Sequence, residues 1–179
     1  MRVLVDTCVI IDALQSRVPF AEAAQKIFIH SANKQFEGYI TAKSVIDIYY
    51  LTHRLTHSDA ETRKILSKLF TLFHLLDTTS LDCRKAISSE ISDYEDAIMM
   101  ETAIRSEMDC IVTRNVKDYA KSSVKVCEPS ALIKLLEEEN ENKNKKGIIR
   151  ERQVRFLLSE AGGLIFILQC VIILTKRSA

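Results

Sequence analysis

A chain of 179 residues holds one ordinary domain and a short appendage, and is too short for two full domains. Hydrophobic content of 47% supports a buried core and excludes disorder as the default. Net charge divides unevenly: residues 1–138 hold 17 Lys and Arg against 20 Asp and Glu, and residues 139–179 hold 8 against 4. The body of the chain is therefore mildly acidic, which excludes a simple polycationic nucleic-acid binder but not a protein whose carboxylates hold cations against phosphate.

Cysteine usage points to a reducing compartment. Cys8, Cys83, Cys110, Cys127 and Cys170 form an odd set with no C-x-x-C pair, unlike a disulfide framework or a zinc knuckle. MRVLVD lacks the apolar core of a signal peptide, which argues against export, and the expected location is the cytoplasm.

In chain order, β-rich runs are predicted at Arg2–Val5, Gly38–Ile40, Phe73–Leu76, Cys110–Val112 and Val124–Cys127. Helical spacing marks Phe20–Ser31, Ala42–His53, Ala60–Leu72, Leu81–Ser89 and Asp93–Glu107. Ser58-Asp59 and Ser92-Asp93 read as N-caps. Strands too short and apolar to alternate, interleaved with helices, predict a parallel sheet covered on both faces. In such sheets the functional site lies beyond the carboxyl ends of the strands. The domain is expected to end near Glu138. Residues 139–147 fall in a polar, low-complexity run (EEENENKNKK, then Gly147) that reads as a solvated linker or a frayed helix end. Residues 148–179 form an appendage of different composition. Its apolar run Ala161–Thr175 covers about 22 Å as a helix, short of the roughly 30 Å hydrocarbon core, and suits a buried strand at least as well.

Aspartates fall where such a sheet places its site. Asp6 follows the first strand directly, with Thr7 next and Asp12 six residues on. Asp47 lies within the amphipathic AKSVIDIYYLTHR, Asp93 and Asp96 open a helix on one face, and Asp118 follows the fourth strand within TRNVKDY. Singly, each has a structural explanation: Asp93 as a cap, Asp12 as a surface acid, Asp118 as a turn residue. Jointly, four elements present carboxylates to one edge, where they repel unless a cation lies between them. Oxygen-only ligands select hard ions, Mg²⁺ or Mn²⁺, which also bind phosphate.

The stretches VLVDTCVIIDAL, TAKSVIDIYYLTHR, SDYEDAIMMETAIRSEMDCIVTRN and VKDY resemble the PIN-domain ribonucleases, many of them toxins of bacterial toxin–antitoxin pairs. The resemblance covers about residues 1–135 and implies a three-layer α/β/α fold and an Mg²⁺- or Mn²⁺-dependent endoribonuclease acting on RNA, with an antitoxin as partner. By position it implies catalytic roles for Asp6, Asp47, Asp96 and Asp118, with Asp6, Asp96 and Asp118 as metal ligands and Asp93 beside them. Many members carry an aspartate where this chain has Asn115, so Asn115 and Asp118 compete for the fourth place. Thr7, Thr113 and Ser44 are candidates to support the carboxylates or to act as turn residues. Arg114 and Lys117 are candidates to meet substrate phosphate. Pairing of two copies is a further expectation; a membrane role is not.

Other chemistries find less support. His53 and His57 stand at i, i+4 without an HExxH pattern, and no phosphate-cradling glycine loop exists. Cys8 has no evident His partner. Asp6-Thr7-Cys8 lacks the D-x-D of haloacid-dehalogenase-type phosphatases, and the later landmarks of a phospho-receiver domain are missing. The runner-up is a PIN-like RNA-binding module without activity; a third reading is an interaction protein tethered to a membrane by its tail. Truncation after Glu138 is expected to leave a folded, metal-binding and more soluble domain. Thermal unfolding of the two forms checks this, and a loss of several kcal/mol on truncation would refute the appendage reading.

Overall fold

Short strands, buried at the centre of the sheet and more exposed at its edges, alternate with helices along the chain. The computed structural model describes residues 1–144, with side chains as far as Glu139. Five strands are present among the described residues: β1 (Arg2–Val5), β2 (Glu37–Thr41), β3 (His74–Leu76), β4 (Cys110–Val112) and β5 (Lys125–Cys127). All pair in parallel, in the order β3-β2-β1-β4-β5. The helices are α1 (Thr7–Leu14), α2 (Ala21–Ala32), α3 (Ala42–Thr56), α4 (Asp59–Leu72), α5 (Ser80–Ala86), α6 (Tyr94–Arg105) and α7 (Pro129–Asn144). A short 3₁₀ turn occupies Val116–Tyr119.

Alternation along the central strands builds two cores. Val3 and Val5 of β1, with Cys110 and Val112 of β4, face a layer made by α1, α2, α3, α4 and α7. Leu4 and Ile111 point the other way, against α6, Ala86 of α5 and Tyr119. These central positions are 0–1% exposed, which is why they read as continuous apolar runs and not as alternating ones. The molecule is thus the expected three-layer α/β/α architecture.

The predicted strands appear within one residue of the expected bounds. Ser58 caps α4 and Asp93 caps α6, each through its side chain. Two helices, α1 and α7, are additions. Thr7–Leu14 carries the β-branched run Val9-Ile10-Ile11 and has no polar face, because residues 9–14 are all buried; periodicity has nothing to report in a helix covered on every side. At the other end α7 continues past Glu138 to Asn144, so the expected boundary falls inside a helix and Glu137–Asn144 is helical. The rest of the polar run and the apolar segment beyond it lie outside the described residues.

Buried polar groups pin the layers. Asp82 on α5, 1% exposed, meets Arg105 Nε of α6 at 2.9 Å and caps its own helix with Thr79. Ser31 Oγ of α2 donates to Leu72 O of α4 at 2.8 Å. Gly38 of β2 lies beneath this junction, where a Cβ would stand 2.7 Å from Phe73 Cδ1 and 2.9 Å from Ser31 Oγ. Phe73 cannot swing aside, since it is 2% exposed and packs edge-on against Phe28 at 5.1 Å between centroids. Gly38→Ala should therefore cost about 1–3 kcal/mol and lower Tm by roughly 4–10 °C. An unchanged Tm in calorimetry would show the cradle to be looser than drawn.

Candidate active site

The sheet order reverses direction at β1, with β2 on one side and β4 on the other, and a crevice opens above such a switch point. Asp6 stands there. Its N–H donates to Val112 O at 3.0 Å, continuing the β1–β4 ladder by one residue. Its carboxylate caps α1, accepting weakly from Cys8 N at 3.4 Å, and takes hydrogen bonds from Thr113 Oγ1 at 2.6 Å and Cys8 Sγ at 3.1 Å. Thr113 is fully buried and its Oγ1 also accepts from Asn115 N at 3.0 Å, so one hydroxyl ties the loop after β4 to the acid after β1. Burial, aided by the Asp6 charge, pushes the Cys8 thiol up to about 12, and Cys8 therefore serves as a neutral donor and not as a nucleophile.

Asp96 approaches from α6. Its Oδ1 accepts from the buried Tyr119 hydroxyl at 2.9 Å. Burial raises its pKa to about 6, with the charges of Asp6, Asp93 and Asp118 adding to the shift against the Tyr119 bond. Tyr119 is itself pushed upward, by burial first and then by Asp6 and Asp96, and stays a phenol. Asp118 is exposed in the 3₁₀ turn, within electrostatic reach of Asp96. Asp93 is exposed and spends Oδ1 on the N–H groups of Glu95 (2.8 Å) and Asp96 (3.1 Å), the work of a helix cap.

Asp47 comes in by another route. Its side chain is 39% exposed, and Oδ2 meets Lys43 Nζ at 2.8 Å; Lys43 also contacts Glu95 Oε1. Burial alone would lower the Lys43 pKa, but the bonds to Asp47 and Glu95 outweigh it and the net direction is upward. Asp6, Asp93 and Asp118 thus lie within electrostatic reach of Asp96, and Lys43 links Asp47 to Glu95, the neighbour of Asp96.

The remaining candidates divide. Arg114 does not stand free for phosphate: Nη1 is 3.1 Å from both carboxylate oxygens of Asp12, and the guanidinium stacks 4.4 Å over Phe20. Asp12 is accordingly no surface acid, being 1% exposed. Lys117 and Asn115 are exposed. Ser44 Oγ and Thr41 Oγ1 are 2.8 Å apart at the start of α3, a capping arrangement. Lys43 and Tyr119 went unnoticed in the sequence reading. The i, i+4 spacing of Lys43 and Asp47 was a usable signal for the first; nothing local marked the second.

The donor set suits a hard cation. All candidate ligands are oxygens, the charges of Asp6, Asp93 and Asp118 act together on Asp96, and Thr7 Oγ1, one residue from Asp6, is shielded from solvent without a partner. Among the described residues no three His, Cys, Asp or Glu side chains converge tightly enough to hold an ion by themselves.

A parallel α/β domain with carboxylates gathered over its switch point defines a class, and comparison with known proteins names it. Residues 2–117 match the family model described as PIN domain, and the chain belongs to that family. No curated protein matches the chain. Among solved structures, a toxin–antitoxin complex from Klebsiella pneumoniae aligns at TM-score 0.55 and 22% identity, covering 71% of this chain and 97% of that one. VapBC2 from Rickettsia felis, bound to a DNA fragment from its promoter, aligns at TM-score 0.51 and 12% identity, covering 72% and 98%. Identities this low establish the likeness of fold. No helix among the described residues is long and apolar enough to cross a membrane.

The Asp96 shift yields a pH test. Its folded pKa lies above the unfolded value, so the folded state holds the proton more tightly, and stability from this group is present at low pH and lost as pH rises from about 4 to 6. A shift of about two units corresponds to nearly 3 kcal/mol, and partial exposure reduces this to roughly 1–2 kcal/mol. In EDTA, Asp96→Asn should match the wild type near pH 4 and exceed it in Tm by a few degrees at pH 7.5. A difference that does not change with pH would overturn the assignment.

Proposed function

We propose that this PIN-domain protein is a divalent-metal-dependent endoribonuclease and the toxin half of a toxin–antitoxin pair. PIN domains are generally nucleases that use divalent metals, which supports the hydrolase class. The observation that carries the reading is the Asp96 carboxyl, held near pKa 6 by burial and by Asp6, Asp93 and Asp118 at the switch point. A buried acid among like charges either keeps a proton or shares a cation, and a divalent ion would satisfy Asp96 at neutral pH.

In this reading Asp6, Asp96 and Asp118 would hold Mg²⁺ or Mn²⁺, with Thr7 nearby. The ion supplies charge stabilisation at the phosphate and a more acidic water. The protein's own groups set the stage. Thr113 fixes the Asp6 rotamer, Tyr119 fixes Asp96, and Lys43 orients Asp47. Lys117, exposed beside Asp118, would meet an RNA phosphate in this reading; Arg114 is committed to Asp12. Antitoxin binding and pairing of two copies belong to the proposal. Ile46 and Tyr50, one turn apart on α3 beside Asp47 and 70% and 61% exposed, offer apolar surface for either.

Asp6→Asn and Asp96→Asn should each reduce Mn²⁺-dependent cleavage of a mixed RNA by roughly 100-fold or more while retaining the fold, because Asn still caps α1 and still accepts from Tyr119. The same substitutions should relieve growth arrest on expression. Asn115, where many members of the family carry an aspartate, favours one alternative, a PIN-like RNA-binding module without activity. Retained RNA binding with no cleavage at any Mn²⁺ concentration would select it.

A further inference from the structure

Lys43 occupies a position that gives a cation no local reward. It lies in the first turn of α3, where the helix dipole favours acids, and that turn contains none. Its i, i+4 pairing with Asp47 runs cation-first, the weaker orientation. Helix stability therefore does not explain the residue. Its surroundings do. α3 packs in the layer that covers Val3 and Val5, and α6 in the opposite layer over Leu4 and Ile111. The Lys43 side chain crosses the carboxyl edge of the sheet between them, 2.8 Å from Asp47 Oδ2 and in direct contact with Glu95 Oε1. It is only 33% exposed, and Glu95 adjoins Asp96 in the first turn of α6. The ammonium thus joins carboxylates of both layers at the rim of the crevice.

We propose that Lys43 is a resident cation of the acidic crevice, standing where a second divalent ion would stand and limiting the site to one exchangeable ion. This rests on the metal-dependent reading above. A divalent ion touching Asp47 and Glu95 would need oxygen at about 2.1 Å, in the space the ammonium fills, so the two cannot share those carboxylates. Unlike a bound ion, a tethered ammonium is not diluted or chelated away, and the Asp47 side stays neutralised at every metal concentration. Lys43 is a positioning residue: it aligns Asp47 and Glu95 and leaves metal chemistry to the Asp6–Asp96 side.

The test is Mn²⁺ titration of the full chain by calorimetry, with free Mn²⁺ counted by electron paramagnetic resonance, for wild type, Lys43→Met and Lys43→Arg. The wild type and Lys43→Arg should bind one Mn²⁺ per chain. Lys43→Met should bind a second, or bind the first roughly tenfold more tightly once the neighbouring positive charge is gone. Two ions bound by the wild type would overturn the inference without recourse to any variant. So would identical stoichiometry and affinity in wild type and Lys43→Met, with the nuclease reading left standing. No Mn²⁺ uptake by the wild type would instead remove the metal-dependent reading, and this inference with it. Should Lys43→Met fail to fold by circular dichroism, Lys43→Gln takes its place under the same outcomes.

Discussion

Parallel pairing of β1 with β4 is the constraint from which the site follows. The register sets Val5 against Val112, so the next residue on each strand, Asp6 and Thr113, emerges side by side at the carboxyl edge. Both strands are buried on both faces, and a slip by one residue would turn every apolar side chain to the wrong layer. The 2.6 Å bond from Thr113 to Asp6 is therefore enforced by the whole core. Asp96, at the start of α6, and Asp118, in the turn after β4, come within electrostatic reach of each other, and Asp96 also feels the Asp6 charge.

The acids of this domain separate by the kind of partner they have. Asp12 and Asp82, both 1% exposed, are each bonded to an arginine, Arg114 and Arg105, and Arg17 adds a second positive charge near Asp12. Those pairs are closed: charge is cancelled and geometry satisfied, as a structural role requires. Asp6 and Asp96 receive only neutral donors, from Thr113, Cys8 and Tyr119. Hydroxyls and thiols orient a carboxylate without cancelling its charge, so the negative potential survives for a ligand. Asp47 is intermediate, sharing one lysine with Glu95.

Much of the fold was legible because short apolar strands and amphipathic helices alternate plainly. What escaped was what tertiary context decides. α1 was unreadable as a helix since its burial on all sides erases the polar face. For the site, aspartates after β1 and at the start of α6 were visible from position alone, and their crowding follows from a topology the pattern implied. Arg114 looked available because nothing in the sequence says that Asp12, 102 residues earlier, lies buried beneath it. Tyr119 was invisible for the converse reason: an aromatic after a turn reads as core, and only the folded chain shows its hydroxyl reaching Asp96.

The Asp12–Arg114 pair also constrains how this chain can drift. Losing either partner strands a buried charge at a cost of a few kcal/mol, reduced somewhat because the arginine side chain is 32% open to water. Arg114 is also the residue between Thr113 and Asn115, whose backbone and side chain orient Asp6. A neutral pair at these positions would fold equally well, but every single-step path to it passes through a weakened protein with a loosened crevice. The pair therefore behaves as an epistatic lock: descendants should keep both residues or exchange both.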